Sequence, residues 1–189
     1  MTVLETERLR LRPFTMRDGP TLARLYGDDV IMRHTRHGRG LKPEAAKTEA
    51  RANVTNYTDH WRRLGYGIWA VTDRPTGRLL GRCGLHHIKE VDAVEVLYLL
   101  NKTVWGRGLA TEAAAAALRF GFEQAGLPRI IAVARPENGP SRKVMEKLGL
   151  TYRSTVSLWG FDLAWHEIAR EDWPVTQSAG VEVLPVDAK

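Results

Sequence analysis

Hydrophobic positions along the chain change period several times, and each change marks an element. Leu9 and Leu11 alternate with Arg8, Arg10 and Arg12, the two-residue period of a strand with one buried face, and Pro13 ends it. Thr15 then precedes Met16-Arg17-Asp18 and a spaced set of Leu22, Leu25 and Tyr26, which predicts an N-capped helix to about Gly27. A loop over 28–41 leads to Lys42-Pro43-Glu44, a second helix start with proline at the first helical position, and amphipathic sequence continues to about Arg63. β-rich segments over 66–72 and 78–89 flank Asp73-Arg74-Pro75-Thr76-Gly77, a turn by composition, and so predict an antiparallel hairpin. A third strand follows over 93–100.

Residues 101–108 form a loop with two glycines, after which Thr111 to Ala125 is almost pure helix former with Gly126-Leu127-Pro128 as its stop. Alanines at 113–117 give this helix a narrow flank that can lie close on a sheet. The strand over 129–135 is apolar through Ile130-Ile131-Ala132-Val133-Ala134, as one buried on both faces should be. Asn138 opens a short helix closed by Gly149, and 152–159 with 163–170 predict a last hairpin. The order β, α, α, β, β, β, α, β, α, β, β predicts an α/β (α+β) architecture. Its central sheet is mixed and mostly antiparallel, has about seven strands and is flanked by helices, with the strands at 93–100 and 129–135 parallel across a helical crossover.

Residues 1–173 are expected to be a single domain. Residues 174–189 show no clear period, contain two prolines and end polar, and are expected to be a flexible tail. At 43% hydrophobic and 26% charged the composition is that of a globular domain with a real core, which excludes disorder of the whole chain. Cys83 has no second cysteine to pair with, so a disulfide-stapled module and a multi-cysteine zinc fold are excluded. No histidine spacing suits a zinc site and no metal is expected. Charge interrupts the first residues before any apolar signal segment forms and no run reaches membrane-spanning length, so a cytoplasmic protein without membrane contact is expected.

Chemistry is concentrated in two segments. Trp105-Gly106-Arg107-Gly108-Leu109-Ala110-Thr111-Glu112 lies between a strand and a helix start, where outward-pointing amides and the helix dipole favour a phosphate. Arg107 adds a positive charge. No Gly-Lys pair exists, which removes a P-loop, and Thr111 breaks a dinucleotide-binding glycine pattern. The second segment, Asn138 to Leu150, is an asparagine-capped helix with a glycine at its end.

Together these segments resemble the GNAT superfamily of acyl-CoA-dependent N-acetyltransferases, whose pyrophosphate loop follows Gln/Arg-x-x-Gly-x-Gly/Ala and whose later helix carries Asn-x-x-Ala/Ser and ends leucine, glycine, apolar. Gly108 and Ala110 fall on the small positions, and Trp105 replaces the usual Gln/Arg. That departure, with Glu5 to Phe14, Asn138-x-x-Ser141 and Glu146-Lys147-Leu148-Gly149, is similar to the branch containing ribosomal-protein N-terminal acetyltransferases. The likeness extends over about residues 5–173.

The resemblance implies acetyl-CoA as cofactor, its pyrophosphate on the amides of Gly106, Arg107, Gly108, Leu109, Ala110 and Thr111. It implies a sheet splayed between 93–100 and 129–135, with the pantetheine arm on the backbone of Tyr98, Leu99 and Leu100 and a hydrogen bond from Asn138. A protonated amine cannot attack, so a base is needed, and Glu95 is the candidate, with Glu112 and Glu167 as other carboxylates that could reach a cleft. An amide near Leu97 or Tyr98 could stabilise an oxyanion. Many members place a tyrosine on the later helix to protonate the leaving thiolate; Met145 stands there, and Ser141 one turn earlier is assigned to orient or protonate it.

The expected activity is direct transfer of acetyl to a primary amine in a ternary complex, the acceptor being a protein N-terminal α-amine or a small molecule such as an antibiotic, polyamine or amino acid. A non-catalytic CoA-binding sensor is the alternative of a different class. Lys and Arg total 28 against 22 Asp and Glu, and residues 1–63 hold 13 of the former and 8 of the latter. No basic run resembles a nucleic-acid arm, so nucleic acid is not the expected partner. Acceptor specificity is expected in 30–42 and 159–165, where Arg33, His34, Arg36 and His37 favour an anionic acceptor. Either a monomer or a homodimer is compatible with the sequence.

Overall fold

A computed structural model describes residues 1–173 and 181–185. Its elements are β1 (Thr2–Glu5), β2 (Leu9–Arg12), α1 (Gly19–Tyr26), α2 (Asp29–Met32), α3 (Pro43–Leu64), β3 (Ile68–Asp73), β4 (Leu79–Ile88), β5 (Ala93–Leu100), α4 (Leu109–Glu123), β6 (Arg129–Ala134), α5 (Gly139–Lys147), β7 (Thr151–Leu158), β8 (Phe161–Ala169) and β9 (Glu182–Pro185). Among the described residues one sheet runs in the order β7-β8-β6-β5-β4-β3-β2-β1-β9. Every neighbouring pair is antiparallel except β5 and β6, which are parallel.

The mixed α/β architecture agrees with the sequence reading, but nine strands replace the seven expected, because β1 and β9 pair with each other at the sheet edge. Val3 and Leu4 of β1 are adjacent and both buried, so this strand has no alternation to detect. Within the expected tail, residues 174–180 and 186–189 lie outside the described residues. Residues 182–185 do not fit a tail: Val181 and Val183 pack against the main core, and the Arg119 guanidinium donates to the Val181 carbonyl at 2.7 Å. α2 is a single turn inside the expected loop, capped by Asp28, whose carboxylate accepts from the amides of Val30 and Ile31. The last hairpin turns tightly on Trp159 and Gly160, both at positive φ, so β8 starts earlier than the sequence suggests.

The two sheet faces are packed differently. α4 and α5 cover one face, where Ala113, Ala114, Ala116 and Ala117 are fully buried against β4, β5 and β6. Close approach is enforced at Gly121, where a Cβ would lie 2.6 Å from Ile130 Cδ1. Trp61, Trp69 and Phe120 meet edge-on or tilted in the same core. α1, α2 and α3 cover the opposite face, with Leu22, Tyr26, Ala50, Val54 and Tyr57 packed over Ile68, Ala70, Leu97 and Leu99. Alternate residues of β5 therefore serve opposite sides: Val96, Tyr98 and Leu100 toward α4, Leu97 and Leu99 toward α3.

Candidate active site

β5 lies beside β6 in register only at Glu95 and Ile131. Past that point the two parallel strands part, and a cleft of about 680 Å³ opens between them. Of the residues singled out from the sequence, Glu95, Tyr98, Leu99, Leu100, Gly106, Gly108, Leu109, Ala110, Thr111, Asn138 and Ser141 all line it. Arg107 does not. Its carbonyl accepts from Arg8 at 2.9 Å, and Arg8 is ion-paired to Glu112, so the loop is tied back to β2.

The glycine loop is built from backbone. Gly106 and Gly108 adopt φ of 74° and 76°, a left-handed geometry that disfavours side chains, and Gly108 is the N-cap of α4. The first amide to find a carbonyl in this helix is that of Glu112, on Gly108. The amides of Leu109, Ala110 and Thr111 precede that first bond, as a helix start without a side-chain cap must leave them. Orphan amides at a helix N-terminus, with Lys143 and Lys147 also lining the cleft, fit a diphosphate. The unpaired end of β5 likewise fits an amide-bearing arm that completes the strand.

At the crotch of the cleft sits Glu95. It is 8% exposed, and burial pushes its carboxyl up to about 7, although the Val133 amide and the Arg82 guanidinium both pull the other way. Arg82 is itself sandwiched against Tyr26 and Tyr57 and hydrogen-bonded to the Tyr57 hydroxyl, which with the two tyrosines holds its charge despite burial. The rival carboxylates are engaged elsewhere. Glu112 accepts from Thr6, Arg8 and the Arg8 amide, while Glu167 is bound by Arg129, Arg153 and Trp165. Neither lines the cleft.

On the α4 side, Asn138 caps α5 by accepting from the Ser141 amide at 3.3 Å, which leaves its Nδ2 to donate to a ligand. Ser141 meets a residue whose side chain sequence reasoning missed. The Tyr98 hydroxyl lies 2.9 Å from both Ser141 Oγ and the Ser141 carbonyl, and burial raises this phenol well above its ordinary range. The signal available in the sequence was the missing helix tyrosine at Met145, but nothing local links position 98 to a helix 43 residues later. Met145 itself is buried in the core.

The opposite wall is made by the α2 turn and its following loop. Val30, Ile31, Arg33, His34 and Thr35 line the cleft. Arg36 and His37 instead reach Glu49 on α3, so half of the expected basic cluster is neutralised away from the cleft. The segment 159–165 contributes no lining residue; its Trp159 is bonded to Glu90. It acts at one remove, because Phe161 underlies Arg135 at 4.1 Å and Arg135 donates to the Thr35 carbonyl at 3.2 Å.

Comparison with known proteins bears on this site. Residues 8–151 match the family described as Acetyltransferase (GNAT) domain. The Bacillus subtilis protein YkkB is 33% identical over 169 residues, covering 88% of this chain and 95% of its own. Among solved structures, Mycobacterium smegmatis RimJ in complex with CoA-disulfide superposes with a TM-score of 0.74 at 20% identity, covering 96% of each chain. Ribosomal-protein-S5-alanine acetyltransferase from Vibrio fischeri gives 0.71 at 19%, covering 91% of this chain and 98% of its own. No helix of the described residues is long and apolar enough to cross a membrane. Since the family match spans both the glycine loop and the Asn138 helix, the chain belongs to the GNAT family and is an N-acetyltransferase.

Proposed function

We propose that the enzyme moves acetyl from acetyl-CoA directly to a primary amine that carries or neighbours an anionic group, with a protein N-terminal α-amine as the first candidate. The observation that carries this reading is Glu95, a buried carboxyl lifted to about 7 at the point where β5 and β6 part, opposite a run of orphan amides. Acetyl-CoA supplies an activated thioester: a carbon–nitrogen bond forms, the carbon–sulfur bond breaks, the ammonium loses two protons on its way to the amide and sulfur takes up one.

The chain's own residues divide the remaining work. The amides of Gly106 and of Gly108 to Thr111, with Lys143 and Lys147, hold the diphosphate. The open backbone of Tyr98, Leu99 and Leu100 and the Asn138 side chain fix the arm. Glu95 takes the proton that an ammonium must lose before it can attack, a task suited to a base titrating near the working pH. No covalent enzyme intermediate is needed, since among the described residues Ser141, the hydroxyl on the α5 side of the cleft, is paired with the Tyr98 phenol and not with a base.

Arg33 is the charged residue of the α2 wall, with His34 beside it, and the carboxylate among the cleft residues is Glu95. An acceptor with its own carboxylate or with acidic neighbours is therefore favoured. The likeness in fold to the Vibrio fischeri S5-alanine acetyltransferase supports a protein N-terminus; a free amino acid satisfies the same electrostatics and is the second reading. The deciding measurement is thiol release from acetyl-CoA over acidic and basic peptides, amino acids and polyamines. Faster release with acidic peptides supports the first reading, with amino acids the second, and preference for polyamines overturns the electrostatic argument.

A further inference from the structure

We propose that Tyr98 is a positioning residue for the departing sulfur: its hydroxyl turns the Ser141 hydroxyl into a committed hydrogen-bond donor toward the CoA thiolate. This rests on acetyl-CoA being the acyl donor and adds a partner for Ser141, since Met145 stands where the family tyrosine would be. Tyr98 Oη stands 2.9 Å from two acceptors on one residue, Ser141 Oγ and the Ser141 carbonyl. A phenol carries one proton, so two arrangements are available. In the first, Tyr98 donates to the carbonyl and Ser141 donates to Tyr98. In the second, Tyr98 donates to Ser141 Oγ, and the serine proton is released toward the cleft that both residues line. Switching between them requires two O–H rotations and no movement of heavy atoms.

Negative charge in the cleft selects the second arrangement. A thiolate accepts from the serine, the serine oxygen becomes more negative, and the tyrosine proton follows it, a short chain in which each bond strengthens the next. The Ser141 carbonyl does not lose its only partner, because it lies inside α5, where carbonyls accept from the amide four residues on. Tyr98→Phe removes the hydroxyl partner that commits the serine proton to the cleft.

Neither hydroxyl need give up its proton. Burial holds the Tyr98 phenol well above the range of a thiol, and an alcohol lies higher still, so both donate hydrogen bonds and remain protonated. From the ammonium, nitrogen loses two protons: the first leaves through Glu95 before attack, the second passes to water as the amide forms, and water returns one to sulfur, so that one proton is released per transfer. Tyr98 reaches this position because β5 turns alternate residues to opposite faces, Glu95 toward the α3 side and Tyr98 toward α5, so one strand serves both ends of the reaction.

The test compares binding of CoA with that of desulfo-CoA, which lacks the sulfur, by calorimetry from neutral pH upward, for wild type, Tyr98→Phe, Ser141→Ala and the double variant. Wild type should favour CoA increasingly as pH rises through the thiol range, with a bound thiol pKa below its free value. Tyr98→Phe and Ser141→Ala should each shrink that preference by about tenfold, the scale of a hydrogen bond to a charged group, and leave desulfo-CoA unchanged. The double variant should lose no more than Ser141→Ala alone, since Tyr98 acts through the serine. In turnover, Tyr98→Phe should lower kcat about tenfold with KM for acetyl-CoA little changed. If wild type shows no preference for CoA over desulfo-CoA at any pH, or Tyr98→Phe weakens both ligands equally, the proposal is overturned and Tyr98 only packs. Failure of both ligands to bind removes the acetyl-CoA reading itself.

Discussion

The two walls of the cleft are made of different material. On the α4 side the ligand-facing groups are mainly backbone: orphan amides at the start of a helix and the unpaired end of a strand. On the α2 side they are side chains, Arg33, His34 and Thr35, held by contacts from distant segments: Asp28 bonds Lys102, Arg36 bonds Glu49, and Arg135 bonds Thr35. Backbone geometry presents the same groups whatever the neighbouring residues, so it suits an invariant cofactor. Side chains on a tethered loop can be exchanged one at a time, which suits the recognition of a particular acceptor.

Glu95 stands at the junction, and changing it gives the largest expected effect. Glu95→Gln should lower kcat by about 10²- to 10⁴-fold, the range for loss of a general base, while Kd for CoA stays within about twofold. In wild type the log of kcat/KM should rise with pH and level off near 7, where the buried carboxyl ionises. In the variant this limb should vanish. Stability should move the opposite way. The unfolded carboxyl ionises near its ordinary 4.5, the native one near 7, so between those values the native state binds more protons and wild-type stability declines as pH rises. Glu95→Gln should flatten that decline and melt at a higher temperature than wild type at pH 7 and above. An unchanged pH–rate limb in a folded variant would move the base elsewhere.

The backbone wall can be attacked where glycine is conformationally required. Gly108→Ala puts a Cβ at φ 76° with no contact closer than 3.6 Å, so the penalty comes from the chain and not from crowding. If the loop relaxes to relieve roughly 1–2 kcal/mol, the amides lose their alignment and Kd for CoA should rise about tenfold. Gly77→Ala provides the control, because it has φ 68° and equally open space but lies in the β3–β4 turn, which does not line the cleft. Both variants should lower the melting temperature, and Gly108→Ala alone should weaken CoA. Equal CoA affinity in the two would mean that side chains, not amides, hold the diphosphate.

The same division explains what the sequence disclosed. Backbone chemistry is written locally: Gly106, Gly108 and the helix formers after them announce a turn and an N-terminus within ten residues, and Asn138 announces its helix in the same way. Glu95 could be placed because a strand position fixes its neighbours. What stayed hidden depends on contacts between remote segments. Tyr98 meets Ser141 only because β5 and α5 converge, Arg36 and His37 find Glu49 only across the α2–α3 loop, and Val3-Leu4 has no alternation because β9, more than 170 residues later, covers it. The short Val181–Leu184 run is legible as a strand only once β1 is known to need a partner.

The side-chain wall should yield the smallest effect and the most selective one. Arg135 donates to the Thr35 carbonyl on the loop after α2, and its guanidinium rests on Phe161 from the β7–β8 hairpin. Arg135→Ala removes both contacts, but the Thr35 hydroxyl still donates to the Met32 carbonyl and Asp28 still caps α2, so the loop is loosened and not lost. KM for the acceptor should rise about three- to tenfold, below the full worth of a charge-assisted hydrogen bond, with kcat and CoA affinity unchanged. Arg135→Lys should recover little, because an ammonium lacks the flat face that stacks on Phe161. If Arg135→Ala instead weakens CoA, the Arg135 clamp belongs to the cofactor wall, and the division between a backbone side and a side-chain side fails at that point.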